Sequence, residues 1–317
     1  MDTLPEWPAY GLAADVRPVL AQAMAAGEHV ALATLFAATG GAPRPPGAQM
    51  LIGLNRLSGF LSGGCVEGDV AAHGREVIDT GQPVRLIYGE GSPYPDIRLL
   101  CGARIDILVE RVMPGDPAAE RLIELTAARQ PALWVTDGRA RACLSPGETA
   151  PSMQDAVTRL YAPVPRLAVV GSDPTALAIA ELASRMEFET TLIRPKGPPV
   201  GPALAGVAYM RQDADVALRA IGLDRWTYVA VATHDLLTDE TALAYALPSQ
   251  AAYVGVLGAR RRIPERLARL KALGVPEAAL DRMKAPIGLD LGGKAPFEIA
   301  VAVMAEIVAD WSARQDH

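Results

Sequence analysis

Strands and helices alternate regularly through the second half of the chain, and this pattern constrains the fold more than any other feature. Apolar strand-forming runs are each followed by a turn and an amphipathic or Ala/Leu-rich helix. Alternation of this kind predicts parallel strands joined by crossover helices. We therefore expect the C-terminal half to be a doubly wound parallel sheet of the Rossmann-like type. The predicted elements are strand 166–170, helix 175–186, strand 189–193, strand 228–233, helix 238–247 and strand 253–257.

The turn after the first of these strands departs from the fingerprint Gly-x-Gly-x-x-Gly that binds dinucleotides. It reads Gly171-Ser172-Asp173-Pro174-Thr175-Ala176, with Asp173 where the second glycine is expected. A carboxylate there would repel a pyrophosphate. After the next strand, where an acid would bind a ribose hydroxyl, the chain has Arg194, which could accept a 2′-phosphate instead. We therefore do not expect NAD(P) to be the ligand of this half.

Ligands of doubly wound sheets bind at the carboxyl ends of the strands. Segments that follow predicted strands there include His234-Asp235 and Gly288-Leu289-Asp290. A run of three arginines, 260–262, adjoins a predicted helix start, where the helix dipole disfavours cations and an anion would compensate them. A solvated first helical turn is the alternative. The candidate binding residues of this half are His234, Asp235, Arg260, Arg261 and Asp290.

In the N-terminal half the segment 61–69 reads Leu-Ser-Gly-Gly-Cys-Val-Glu-Gly-Asp and leads into a predicted helix. Gly63 and Gly64 permit a tight turn and a close approach of the backbone to a ligand. Cys65 would lie at the helix N-terminus, where the dipole favours a thiolate over a thiol. Glu67, in the first turn, would face the same dipole. The alternative is a small buried cysteine after a Gly-Gly turn.

A candidate anion-binding residue of this half lies in a Gly- and Pro-rich loop, 39–47. Arg44 is flanked by prolines that limit the backbone entropy of the loop, so its guanidinium is held ready for a phosphate or carboxylate. An exposed arginine in a rigid turn is the alternative. Further along, Cys101-Gly102 precedes an alternating strand, and Cys65 and Cys101 could face one pocket.

These elements predict an α+β domain before the Rossmann-like half. Its pattern breaks near Met113-Pro114-Gly115, and the chain changes character again at Tyr161-Ala162-Pro163. We predict an N-terminal domain (1–112), a connecting subdomain (113–162) and a Rossmann-like domain (163–317). The elements predicted before residue 113 are helix 15–27, strand 30–36, hairpin strands 49–54 and 57–61, a helix from Cys65 to Thr80, and strands 84–88 and 104–110.

Composition excludes several classes of partner. A formal net charge of −6 gives no electrostatic reason to bind nucleic acid or an anionic membrane. The first residues lack the pattern of a signal peptide, and no apolar run approaches the length of a membrane span, so we expect a cytoplasmic protein. The spacing of Cys65, Cys101 and Cys143 indicates neither a disulfide framework nor a zinc site, and we interpret Cys143 as structural.

Several motifs together resemble the XdhC/CoxI family, which comprises accessory proteins of molybdenum hydroxylases such as xanthine dehydrogenase. The resemblance extends in order along nearly the whole chain. Two motifs depart from the family pattern: Cys-Gly-Gly is Cys101-Gly102-Ala103 here, and Gly-Ala-Gly-His is Gly171-Ser172-Asp173-Pro174. The motifs that carry the resemblance are Ala42–Ala48, Ser62–Gly68, Cys101-Gly102, Tyr161–Pro163, Thr233–Asp235, Tyr253–Arg261 and Ala285–Asp290.

The resemblance implies a chaperone that binds molybdenum cofactor, protects it and inserts it into an apo-molybdenum hydroxylase. A cysteine desulfurase often supplies the terminal sulfido ligand in such systems, so sulfuration is expected before insertion. The protein would be an accessory chaperone rather than an enzyme. A NAD(P)-dependent oxidoreductase of unknown substrate is the alternative, on the strength of the Rossmann-like half alone.

Molybdenum cofactor presents a soft metal dithiolene at one end and a phosphate or dinucleotide at the other. Cys65 and Cys101 are therefore the candidates for contact with molybdenum, and Arg44 is the candidate for the anionic end. Gly63, Gly64 and Glu67 complete the cofactor-binding set expected in this half. The sequence does not distinguish the mononucleotide from the dinucleotide form, and it leaves a homodimer open.

Overall fold

The computed structural model describes residues 4–92, 99 and 102–315. The chain divides into two compact units, Met1–Pro163 and Val164–His317. Within the described residues, no helix combines the length and the apolar character needed to cross a membrane. Each unit has its own buried core, as expected for a chain of this length.

The first unit is built on a five-stranded antiparallel sheet with strand order β3-β2-β1-β5-β4. Its predicted helices and strands are confirmed, with ends shifted by a few residues. Its elements are a 3₁₀ turn at Ala9–Leu12, α1 (Arg17–Ala25), β1 (Val30–Thr39), β2 (Gln49–Ile52), β3 (Leu57–Gly59), α2 (Glu67–Thr80), β4 (Val84–Tyr88), β5 (Arg104–Val112), α3 (Pro117–Ala127), β6 (Ala132–Thr136), β7 (Arg141–Leu144) and β8 (Val157–Tyr161).

The register of the strands brings several loops to one end of this sheet. Thr39 at the end of β1 pairs with Arg104 at the start of β5. At the same end, Gly59 closes β3, where it pairs with Met50 of β2. The loop between β1 and β2, the loop after β3 and the segment before β5 therefore meet at this end. These are the loops that carry Arg44, the Gly-Gly-Cys motif and Gly102.

Helix α2 covers one face of this sheet because its apolar residues recur at helical spacing. Val70, Ala71 and Val77 are buried in the same core as Ile52 and the strand residues facing them. Gly74 lets the helix approach closely, since a Cβ there would lie 3.1 Å from the Ile52 side chain. The packing fixes the start of the helix next to the Gly-Gly-Cys loop.

Residues 113–162 lie within the first unit and form α3 and a three-stranded sheet of order β7-β6-β8. The fully buried Glu110 of β5 attaches them to the larger sheet. Its carboxylate accepts hydrogen bonds from Trp134 Nε1 (3.1 Å), Thr136 Oγ1 (2.7 Å) and Arg141 Nε (3.0 Å). The sequence predicts a helix over 118–129 and two short strands around Asp137-Gly138, which α3, β6 and β7 confirm, whereas strand β8 was not expected. The domain boundaries at 112 and 162 stay predictions.

The second unit is a six-stranded sheet of order β11-β10-β9-β12-β13-β14 with parallel pairing, and helices cover both faces. The predicted α/β fold with a Rossmann-like, doubly wound sheet is confirmed. Its elements are β9 (Arg166–Gly171), α4 (Pro174–Arg185), β10 (Glu189–Ile193), β11 (Val207–Met210), α5 (Ala214–Ile221), β12 (Thr227–Ala232), α6 (Leu236–Ala246), β13 (Tyr253–Val256), a 3₁₀ turn at Arg260–Arg262, α7 (Ile263–Ala272), α8 (Glu277–Leu280), β14 (Met283–Lys284) and α9 (Pro296–Gln315).

This strand order reverses direction between β9 and β12. In open parallel sheets the crevice at such a reversal, beyond the carboxyl ends of the strands, is the usual ligand site. The residues that follow β9 and β12 therefore border the position where a ligand of this unit is expected.

Candidate functional site

The Gly-Gly-Cys loop exposes its thiol at the loop end of the five-stranded sheet. Cys65 is exposed, and a Cβ built on Gly63 or Gly64 would meet no heavy atom within 4 Å. Gly64 has a φ of +95°, a conformation that favours glycine. The motif therefore presents bare backbone and a thiol to open space. We predicted Cys65 at the helix terminus itself, but α2 begins at Glu67 with Val66 as its N-cap, so Cys65 lies just before the cap.

Glu67 lies beneath this loop and is fully buried. Its Oε1 accepts hydrogen bonds from the backbone N–H groups of Leu61 (3.1 Å) and Ser62 (2.7 Å). Its Oε2 accepts from Ser62 Oγ (2.8 Å) and from the Val66 N–H (3.3 Å). With both oxygens occupied, Glu67 orders the loop from below rather than facing the open side.

Ser62 transmits this order to the cysteine. Its hydroxyl donates to Glu67 and accepts the backbone N–H of Cys65 at 3.1 Å. The position of Cys65 is thus set by a chain of hydrogen bonds that starts at a buried carboxylate. Burial raises the pKa of the nearby Tyr10, and the negative charge of Glu67 adds to that shift.

The loop that carries Arg44 lies at the same end of the sheet. Gly40 packs against the segment before β5, since a Cβ there would lie 3.0 Å from the carbonyl oxygen of Gly102. Cys101, the second candidate thiol, lies outside the described residues. Arg44 is half-buried, and its Nε is buried without a hydrogen-bond partner in the described structure. The sequence-predicted residues Arg44, Gly63, Gly64 and Cys65 therefore belong to loops that share one end of the sheet.

The sequence analysis missed Arg159. It lies on β8 and inserts under the Arg44 loop, where a Cβ on Gly47 would be 2.5 Å from its Nη1. Its guanidinium stands over the ring of Tyr161 at 5.3 Å, and its Nε is also buried without a partner. No local signal marks this residue, because its role depends on a contact across more than 100 positions of the chain.

Cys143 is buried, and burial raises the pKa of its thiol to about 11, as a structural role requires. No group of three or more His, Cys, Asp or Glu side chains among the described residues is arranged to hold a metal ion.

In the second unit, Asp173 occupies the position where a dinucleotide phosphate would approach. It is the N-cap of α4, and its Oδ1 accepts the backbone N–H of Ala176 at 2.8 Å. Its other oxygen lies 3.1 Å from Nε2 of the exposed His234, which follows β12. The two side chains thus meet across the crevice between β9 and β12. The helix terminus that holds phosphate in other folds of this type is capped by the chain itself.

The other predicted residues of this unit lie at the same edge of its sheet. Asp235 is exposed and accepts a hydrogen bond from Thr238 Oγ1 at 2.5 Å, which lowers its pKa. Arg260 and Asp290 are both exposed and form an ion pair with each other at 3.1 Å. Arg261 lies beside them in the 3₁₀ turn and is also exposed. An exposed pair of this kind leaves both charges accessible to a ligand.

A cavity of about 290 Å³ opens beside α4 at the ends of β9 and β10. Arg194 supplies its only charge among the lining residues, and most of the rest are apolar. The lining residues are Gly171, Ser172, Leu177, Leu192, Arg194, Pro198, Val200, Gly201, Pro202 and Tyr209.

Comparison with family models identifies both halves of the chain. Residues 23–89 match the model described as the XdhC and CoxI family, and residues 167–307 match the model described as the XdhC Rossmann domain. The two matches occur in the order that the sequence motifs predicted.

Individual proteins give consistent matches. The molybdenum cofactor insertion chaperone PaoD of Escherichia coli is 29% identical over 91% of this chain and 85% of its own length. A Bacillus subtilis protein described as a probable subunit of xanthine dehydrogenase is 25% identical over 89% of this chain and 93% of its own. A crystal structure from Bacillus halodurans, described as a xanthine dehydrogenase, has a TM-score of 0.75, with 94% of this chain and 96% of that chain covered. At 21% identity, that likeness shows the fold alone.

Proposed function

Because this chain belongs to the XdhC/CoxI family, we propose that it is an accessory chaperone that binds molybdenum cofactor and inserts it into a molybdoenzyme. The observation that carries the proposal is the similarity to a molybdenum cofactor insertion chaperone over 91% of the chain. The target is a hydroxylase of the xanthine dehydrogenase or aldehyde oxidoreductase type. Insertion follows sulfuration of the metal by a cysteine desulfurase.

The loop end of the first unit has the chemistry that this cargo needs. Soft metals prefer thiolate ligands, and the exposed Cys65 offers one beside bare glycine backbone. Arg44 offers a guanidinium with an unpaired donor to the anionic end of the cargo. Cys101 is proposed as a second thiol from the family motif. Gly63 and Gly64 leave room for the pterin to approach, and Glu67 holds the loop in shape.

The second unit contributes exposed charges rather than a phosphate-binding turn. His234, Asp235, Arg260, Arg261 and Asp290 are proposed to contact the cofactor or the partner from the edge of the parallel sheet. The side-chain cap at Asp173 opposes an ordinary dinucleotide role, because a pyrophosphate would have to displace the carboxylate. A cytoplasmic location fits a protein that meets its apo-hydroxylase before assembly is complete.

The alternative function, a NAD(P)-dependent oxidoreductase, leads to a prediction for Asp173. We expect NAD to bind with a dissociation constant no better than about millimolar, which corresponds to about −4 kcal/mol. The Asp173→Gly variant removes both the carboxylate and the cap, and it should bind NAD more tightly if the rest of the crevice admits a dinucleotide. Calorimetry measures both affinities, and micromolar binding by the unmodified protein would instead support the oxidoreductase.

Transfer of the cargo tests the proposed function. Purified apo-hydroxylase would be incubated anaerobically with the chain loaded with sulfurated cofactor, and hydroxylase activity would be measured. We expect faster activation than with an equal amount of free cofactor, because the chaperone delivers the cofactor directly to the apo-hydroxylase. Equal rates with and without the chain would contradict an insertion role.

A further inference from the structure

Two arginines of the first unit carry charges that no carboxylate among the described residues neutralises. The side chains of Arg44 and Arg159 take part in no ion pair or hydrogen bond in the described part of the chain, and the Nε of each is buried without a partner. Buried polar groups in folded proteins nearly always have partners, so two neighbouring exceptions require a cause. Both are arginines, whose guanidinium stays protonated at any physiological pH.

Burial lowers the pKa of the Arg159 guanidinium, and the positive charge of Arg44 lowers it further. The positive charge of Arg17 also lowers this pKa, whereas Tyr161 and the negative charge of Asp15 raise it in part. Arg17 is itself neutralised, because Asp15 binds it at 2.8 Å. Neither Arg44 nor Arg159 forms an ion pair with an acid among the described residues. The fold therefore holds two like charges near each other at a cost that Asp15 offsets only in part.

The surroundings hold Arg159 in place and leave its terminal nitrogens available. Its guanidinium is packed between the backbone of Gly47 and the ring of Tyr161. Tyr161 is fixed in turn, since its hydroxyl donates to Gln49 Oε1 at 2.7 Å. The Nη atoms of Arg159 are not among the buried unpaired atoms of the described residues. A rigid guanidinium with accessible Nη donors is well suited to bind an anion.

We propose that Arg44 and Arg159 together form a binding site for a phosphate monoester. Two guanidiniums carry two positive charges, which match a phosphate dianion, and they can donate hydrogen bonds to several of its oxygens. A ligand with a single carboxylate would neutralise only one of the two charges. The ligand is the terminal phosphate of the pterin cargo, and this assignment rests on the proposed function. Arg159 is thus a binding residue that neither the motifs nor the family matches single out.

Inorganic phosphate is the probe for the site itself. The melting temperature of the full chain would be measured in phosphate and in chloride at equal ionic strength. We expect phosphate to raise it for the unmodified protein. In Arg159→Met and Arg44→Met this rise should be lost, with the affinity for phosphate at least about tenfold weaker. Arg139→Met, at an exposed position of the same unit, is the matched control and should keep the rise.

A second signature separates a binding role from a structural one. Because the half-buried Arg159 has no ion-pair partner among the described residues, Arg159→Met should melt about 2–4 °C higher than the unmodified protein when no phosphate is present. An arginine that stabilises the fold would give a lower melting temperature instead. If Arg159→Met fails to fold, the role of Arg159 is structural and the proposal is wrong. Persistence of the phosphate effect in both methionine variants would also overturn it.

Retention of cofactor by the same variants separates this inference from the proposed function. Loss of both phosphate binding and cofactor retention supports the assignment. Loss of phosphate binding with full cofactor retention means that the site serves a phosphate from another source, which overturns the assignment but leaves the chaperone function intact. If the unmodified protein binds phosphate at these arginines but never binds a pterin, the proposed function fails and the anion site remains.

Discussion

Cys65→Ser is expected to lower the affinity for molybdenum cofactor about a hundredfold or more. Cys65 is the proposed metal ligand, and loss of a ligand should cost more than the roughly 10–100-fold loss of affinity that follows mutation of a residue supporting a ligand. The thiol is exposed and its side chain stabilises no core, so the melting temperature should not change. Serine keeps the size of the side chain and removes only the soft sulfur. The measurement is the amount of pterin retained after anaerobic gel filtration.

The other cysteines provide the comparison for this result. Cys143→Ser should retain cofactor fully, because Cys143 is buried and burial raises the pKa of its thiol to about 11. Cys101→Ser should show a weaker loss than Cys65→Ser. Full retention by both Cys65→Ser and Cys101→Ser would mean that neither thiol binds the cofactor, which would then be held by its anionic end.

Glu67→Gln is expected to lower the free energy of unfolding by about 3 kcal/mol and to weaken cofactor binding as well. In either orientation, the amide nitrogen of glutamine would face a backbone N–H that now donates to a carboxylate oxygen. On one side that donor is Ser62 N–H, and on the other it is Val66 N–H. The Gly-Gly-Cys loop would then lose its support from below. Urea unfolding gives the change in stability.

Glu76→Gln is the matched control for this variant. Glu76 lies on the same helix, but its side chain is 71% exposed and its ion-pair contact is His73 at 3.8 Å. Pairs of this kind contribute little, so its stability should change by less than about 0.5 kcal/mol. If Glu67→Gln were as stable as Glu76→Gln, the carboxylate would not be what orders the loop.

Most elements of the fold could be predicted because their signals are local. The alternation of apolar strands and helices after Arg166 led to the parallel sheet, and helical spacing after Cys65 led to α2. Strand β8 was missed because Val157–Tyr161 spans only five positions, and its exposed Leu160 and half-buried Arg159 break the apolar and polar alternation that marks a strand. Its partner β6 lies more than 20 positions earlier in the chain, and its pairing follows from tertiary contacts.

The candidate site could be predicted only in part. The chemical types of Arg44 and Cys65 are evident from the sequence, and an Asp before Pro174 is a recognisable helix-cap signal. The hydrogen bonds of Glu67 could not be predicted, because they depend on how the preceding loop folds back over α2. Arg159 could not be found at all, since β8 must be in place before it reaches Gly47.

The most direct test of the central claim is the identity of what the protein carries. The chain would be purified anaerobically from cells that make molybdenum cofactor, the bound material released, and any pterin and metal identified by mass spectrometry. We expect molybdenum and a phosphate-bearing pterin at up to one equivalent per chain, and their loss in Cys65→Ser. Protein that emerges with no pterin, under conditions in which a known molybdoenzyme from the same cells is loaded, would contradict it.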